Sequence, residues 1–165
     1  MDQTQRARLV SEMIEAIQRD GQQGTSDRAQ RDIDFLSSRG LLDDDDSVLA
    51  YTSSMHNDEA IATTSTIVVL ERNGGQLLSH AFPIDTAVVV AHGYRLTISG
   101  PKTTLPKRGL VRKILFGRGY GGSDVDGHAL LTMGATTGPP HLAQDDHAAL
   151  SRAQAFADIV NATRR

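Results

Sequence analysis

Residues 61–82, IATTSTIVVLERNGGQLLSHAF, decide the class of fold. Ile61–Arg72 is a run rich in β-branched residues. Asn73-Gly74-Gly75 follows at once. Asn-Gly is among the strongest short hairpin signals, because both central residues of a type I′ turn need positive φ. Gln76–Phe82 reads as the return strand, closed by Pro83, which has no N–H to give to a ladder.

Strand character continues outward from this hairpin. Thr86–His92 is nearly all apolar and is expected to be buried on both faces or to line a barrel interior. That reading turns Val88 and Val90 inward, together with Val68, Leu70, Leu96 and Ile98. Gly93 turns the chain into Tyr94–Ser99, and Ala129–Thr136 is the last strand of the series. On the N-terminal side, Ser47–Ser53 forms a strand around Val48, Leu49 and Tyr51.

The flanks follow a helical period. Leu9, Val10, Met13, Ile14 and Ile17 make one stripe over residues 2–20, which ends in the polar run GQQGTS at Gly21–Ser26. A second helix starts at Ser26 or Asp27 and carries Ala29, Ile33 and Leu36 on one face. It stops at Gly40, the usual position for a glycine just past a helix. The C-terminal helix, Gln144–Thr163, aligns Leu150, Ala153, Ala157 and Val160, with Ala149 and Phe156 beside them. Asp145 and Asp146 in its first turn suit the positive end of the helix dipole.

Composition bounds the rest. The chain has 165 residues, 39% hydrophobic, 4% aromatic and without tryptophan, which means one domain with an aliphatic core. It has no cysteine, which excludes disulfides, a thiolate nucleophile and a Cys-based zinc site. The first 20 residues hold no apolar signal core. The longest apolar runs, Ile67–Leu70 and Ala87–Ala91, fall far short of the ~18 residues of a membrane span. The expected location is cytoplasmic.

Helix, helix, a meander of strands and one final helix resemble the small bacterial members of the pleckstrin-homology-like superfamily. Gly40-Leu41-Leu42, followed by acids and the strand Val48–Tyr51, resembles the entry to their first strand. Phe82-Pro83-Ile84-Asp85, leading into a valine-rich strand, resembles their segment of that pattern. The final helix resembles the one that plugs the open barrel corner. The resemblance implies an α+β protein. Residues 1–40 are then a helical extension. Residues 41–165 form an antiparallel β-barrel or strongly bent sheet of about six to seven strands, capped by a C-terminal helix. It also implies a non-catalytic binding or scaffold module acting through protein–protein contacts. The stripe Leu9, Met13 and Ile17 is either core packing or a face for a protein partner or a second copy. The flexible composition of Gly21–Ser26 favours association.

The sharpest chemical signal is electrostatic. Residues 101–120, PKTTLPKRGLVRKILFGRGY, hold Lys102, Lys107, Arg108, Arg112, Lys113 and Arg118 and no acid, so the segment is +6 against −9 for the remaining residues. Such asymmetry suits an anionic partner, either a phospholipid headgroup or a nucleic-acid phosphate, and this anion-recognising module is the alternative reading. The plainer reading is a solvated loop balancing Asp43–Asp46, which themselves read as an exposed turn. GRGYGG at Gly117–Gly122 matches no phosphate-binding fingerprint and reads as a turn.

The histidines offer little. His141 and His147 are badly spaced for one helical face, and His80 and His92 lie on strands that could neighbour each other. Asp124-x-Asp126-x-His128 lacks the carboxylate at loop position 12 that an EF-hand needs. No serine sits in a G-x-S-x-G elbow. No catalytic residue, metal or cofactor is therefore assigned, and a small enzyme with an unrecognised site is the third reading.

The basic segment makes a prediction of its own. Reversing Arg108, Arg112 and Lys113 to Glu should abolish binding to an anionic partner and leave the fold intact, since surface changes shift stability by less than about 0.5 kcal/mol each. Melting curves together with a salt titration of vesicle and DNA binding check both halves.

Overall fold

The β-rich middle of the chain folds into two antiparallel sheets. The computed structural model describes residues 1–22, 26–43, 45–54, 58–73, 76–93, 95–101, 128–133 and 143–164. Two helices come first, α1 (Gln3–Arg19) and α2 (Ser26–Ser38). Four strands follow: β1 (Val48–Ser53), β2 (Glu59–Thr63), β3 (Thr66–Asn73) and β4 (Gln76–Pro83). Then come β5 (Val88–His92), β6 (Arg95–Ser99), β7 (His128–Thr132) and the helix α3 (Ala143–Thr163). The strands pair in chain order, as a four-stranded sheet β1-β2-β3-β4 and a three-stranded sheet β5-β6-β7. Among the described residues the two sheets stay separate, so the closed barrel is replaced by an open pair of sheets. The α+β class and the flanking helices stand. Among the described residues no helix is long and apolar enough to cross a membrane.

The register shows why the four-stranded sheet needs cover on both faces. Ile61 lies opposite Val68, Ala60 opposite Val69, and Ile67 opposite Phe82. Because side chains alternate across a strand, Val48, Tyr51, Ile61, Val68, Leu70 and Ala81 form one face. They pack against Leu9, Met13 and Ile17 of α1 and Ile33 and Leu36 of α2. Ala60, Ala62, Ile67, Val69 and Phe82 form the other face. They meet Val89, Leu96, Ile98 and Leu131 of the second sheet and Ala153, Phe156 and Val160 of α3. All four residues Ile67–Leu70 are buried. Each such side chain contributes roughly 1.5–3 kcal/mol on leaving water.

The partner-face expectation for Leu9, Met13 and Ile17 is corrected by the same packing. All three are fully buried against the chain's own sheet. A helix of this length is marginal alone and gains its stability by docking, and here it docks on β1.

Two strand expectations also change. Ile61–Arg72 is not one strand but β2 and β3, joined through Thr64 and Ser65. No Gly, Pro or Asn announces that turn. Asp46 holds it from outside: one carboxylate oxygen accepts from the Thr64 hydroxyl at 2.9 Å and the Ser65 amide at 3.0 Å. The other accepts from the Ser65 hydroxyl at 2.9 Å and the Asp43 amide at 2.7 Å. Asp46, at 1% exposure, is a buried clamp, not part of an exposed acidic turn. Arg8 fastens α1 to it, donating to the Asp46 carbonyl at 2.7 Å.

The second change concerns β5, whose outer face is open to solvent. Val88 and Val90 are 51% and 50% exposed, while Val89 is buried. The all-apolar strand is thus half-buried, with the opposite parity to the one expected.

That parity is testable. Val89→Asp places an unpaired carboxylate in the core at a cost of several kcal/mol against a total stability of roughly 5–15. It should prevent cooperative folding. Val90→Asp should fold and melt within about 1 kcal/mol of the parent. Circular dichroism melts of the two variants decide the parity.

Candidate functional site

Polar side chains on the inner faces of the helices create the chemistry of this molecule. On α2, Arg28 reaches over the sheet. Its guanidinium donates to Glu59 at 2.7 and 3.2 Å and to the Gln22 side-chain oxygen at 3.0 Å. It also donates to the Tyr51 hydroxyl and lies over that ring, 5.1 Å from its centroid. One turn on, Asp32 is buried beside Glu59, and Arg31 donates to it at 2.9 Å. The second Asp32 oxygen has no hydrogen-bond donor among the described residues. Burial, then the neighbouring Glu59 carboxylate, push the Asp32 carboxyl up to about 6. Burial and Glu59 likewise raise the Tyr51 phenol. These groups bind α2 to the sheet.

An accessible cavity lies on the far side of Tyr51, where the C-terminal end of α1 meets β1 and α3. It encloses about 230 Å³. Ala16, Ala50, Ala155, Phe156 and Ile159 supply apolar wall, and Arg19, Asp20 and Arg152 supply charge. The floor is the outer edge of β1. Ser54 and Asp58 are hydrogen-bonded partners across β1 and β2, and the pairs Thr52–Ala60 and Ala50–Ala62 share that parity. Backbone groups alternate between inward and outward along such a ladder, so those of Tyr51 and Ser53 face away from β2. The Ser53 amide donates to the Asp20 carboxylate, and the Leu49 carbonyl accepts from Arg19 at 3.1 Å. Tyr51 lies between these two capped positions and lines the cavity, its N–H and C=O turned away from β2.

The charges of the cavity are unequal. Asp20 is almost fully buried, and burial pushes its carboxyl up to about 6 against the pull of Thr52, Arg152, Gln22 and the Ser53 backbone. Arg152 meets Asp20 and the Met133 carbonyl only at 3.5 Å each. Its Nε is buried with no acceptor among the described residues. Arg19 has no carboxylate partner among the described residues, its bond to Leu49 aside. Among the described residues Asp20 is thus paired with Arg152, and Arg19 stands beside them with the Leu49 carbonyl as its acceptor.

Lys102, Lys107, Arg108, Arg112, Lys113 and Arg118 fall outside the described residues, as do Gly117–Gly122, Asp124, Asp126 and His141. His80 is buried on β4, 3.5 Å from Glu71, whereas His92 is exposed on β5 in the other sheet, so the two strands are not neighbours. His147 is exposed on α3. Among the described residues no group of three or more His, Asp or Glu side chains is placed to hold a metal.

The cavity residues themselves carried weak signals. Asp20 is the C-cap of α1, where the helix dipole disfavours an acid. Arg152 falls three and four residues from Ala149 and Phe156, a cation inside an apolar stripe. The chain matches no family model, no curated protein and no solved structure.

A pH dependence follows from the two buried carboxyls. Asp20 and Asp32 move from 3.8 to about 6 on folding. Between those values the folded chain holds more protons than the unfolded one, so their contribution to stability falls as pH rises through that window and is level above it. Asp32→Asn should raise the melting temperature at pH 7, by on the order of 1–3 kcal/mol in stability, and flatten the slope between pH 4 and 6. Thermal melts of both proteins across that range measure it; an unchanged slope would refute the assignment.

Proposed function

We propose that the chain is a non-catalytic binding module of pleckstrin-homology-like architecture that works in the cytoplasm through contacts with another protein. The arrangement of four strands, three strands and a C-terminal helix packed on both β1 and β5 suits that architecture. One observation carries the functional reading: the edge of β1 that pairs with no strand among the described residues lines a cavity through Ala50 and Tyr51. Recognition of extended protein segments uses main-chain groups at a sheet edge for affinity and a side-chain pocket for specificity. The Tyr51 backbone and the apolar wall of Phe156 and Ile159 offer both together. Arg19 and Asp20 occupy the edge on either side of Tyr51, so the site takes one anchoring residue of a partner and does not add a long strand.

The buried ionisable groups support the same reading. Arg28, Glu59 and Asp32 are committed to holding α2 on the sheet, and His80 lies against Glu71 under the second core. Each has a structural duty that accounts for its burial.

Panning a displayed library of short random peptides against the full chain tests the proposal. Enriched peptides should lose about tenfold or more in affinity, or about 1.4 kcal/mol, when Ala155→Trp fills the cavity from an exposed helix position. Enriched peptides indifferent to that substitution would overturn it, as would no enrichment. Salt-sensitive binding to anionic vesicles or DNA, lost on reversing Arg108, Arg112 and Lys113, would replace it with the anion-recognising reading.

A further inference from the structure

The corner cavity has a chemistry more specific than a general pocket. Its volume of about 230 Å³ corresponds to roughly eight water-sized groups at ~30 Å³ each. That is the size of one side chain or of a small acid. The wall is largely apolar, contributed by alanines, Phe156 and Ile159. The polar side is cationic in excess: Arg19 and Arg152 face one carboxylate, Asp20. Among the described residues Arg152 is held by two contacts at 3.5 Å, although a guanidinium carries five donors suited to a carboxylate fork. The Tyr51 N–H on the floor adds a neutral donor. A cation would meet two guanidinium groups, and a neutral apolar group would offer neither of them a further acceptor.

We propose that this cavity is a carboxylate-binding subsite, which takes a monocarboxylate with a small branched or ring-shaped apolar body. The carboxylate lies on Arg152 and Arg19, and the body packs against Phe156, Ile159 and Ala155. Two sources present this chemistry: a free monocarboxylic acid, and the C-terminal residue of a partner polypeptide. The inference deepens the protein-contact reading and shares its site, but it rests on the charge and size of the cavity alone. Asp20 takes part in selection. It repels a dicarboxylate, whose second charge would be confined beside it.

Backbone amide shifts of the full chain, measured at low salt, provide the test. Isovalerate and its neutral isostere isovaleramide are titrated in parallel. A short acetylated peptide ending in Gly-Val is compared as the free acid and as the C-terminal amide. Isovalerate should shift the amides of Tyr51, Ala155 and Ile159 saturably, with the weak affinity, of order millimolar, expected of so few atoms. Isovaleramide should bind at least about tenfold more weakly. Arg152→Gln should remove the discrimination between acid and amide. Ala155→Trp, at an exposed position, should abolish binding and serves if the Arg152 variant fails to fold. Binding of either acid, isovalerate or peptide, upholds the subsite and names its source. Isovalerate binding by a chain that takes no peptide would overturn the protein-contact reading and leave this one standing. Equal binding of acids and amides, no saturable shift with either acid, or undiminished binding by the Ala155→Trp protein would overturn the subsite itself.

Discussion

The structure depends on one sheet being buried from both sides. In Ile67–Leu70 every side chain is out of water, so the middle of β3 has no solvent face. A sheet of that kind cannot stand with cover on one side only. It needs an apolar layer above and another below, and the chain supplies them from its two ends. The N-terminal helices close one face, and the second sheet with α3 closes the other. The helices are therefore as much a part of the core as the strands. The polar groups at the interface follow from the same constraint. Glu59 stands on the helix-covered face of β2, and its buried carboxylate needs a cation, which Arg28 provides from α2.

The corner cavity is a by-product of closing the other end of the problem. A four-stranded sheet has edges, and an unpaired edge exposes a row of backbone donors and acceptors. At β1 the end of α1 and the flank of α3 pack against the strand, and a cavity lies where they meet it. Arg19 and Asp20 occupy the backbone groups they can reach, and Arg152 balances Asp20 from the other helix. The space left between them is small, part apolar and part charged. Ligand sites commonly have this mixture, an apolar body with few polar groups of fixed orientation.

The sequence was informative where one residue's local chemistry decides the outcome. Asn73-Gly74-Gly75 announces the β3–β4 hairpin, although its register, with Asn73 opposite Gln76, leaves Gly74 and Gly75 rather than Asn73 and Gly74 between the paired strands. The end of α2 follows from Gly40, which takes a φ of 64°. It was uninformative where a distant partner decides. Nothing in TTST says that Thr64 and Ser65 turn, because the groups that stabilise the turn belong to Asp46. Nothing in VVVAH fixes which valines face inward, because an all-apolar strand carries no alternation to read. The helix stripe of Leu9, Met13 and Ile17 was visible, but its destination was not; apolar periodicity announces burial without naming the surface that buries it. The cavity was least legible of all, since Asp20 and Arg152 are separated by 132 positions and meet only through the fold.

The Asp46 clamp has a consequence for how the chain reaches its native state. A hairpin with its own turn signal can close by itself and early, because its contacts are local. The β3–β4 hairpin is of that type. The β2–β3 hairpin is not: its turn is held by a side chain 18 and 19 residues upstream. That turn is completed only once the chain preceding β1 has come alongside. Loop closure between Asp46 and Ser65 must then be achieved before β2 and β3 gain their full pairing. Contact locality accordingly makes β3–β4 the hairpin expected to form first, with β2 and β1 joining it later. Substitutions at Asp46 are accordingly expected to act chiefly on the unfolding limb of the kinetics.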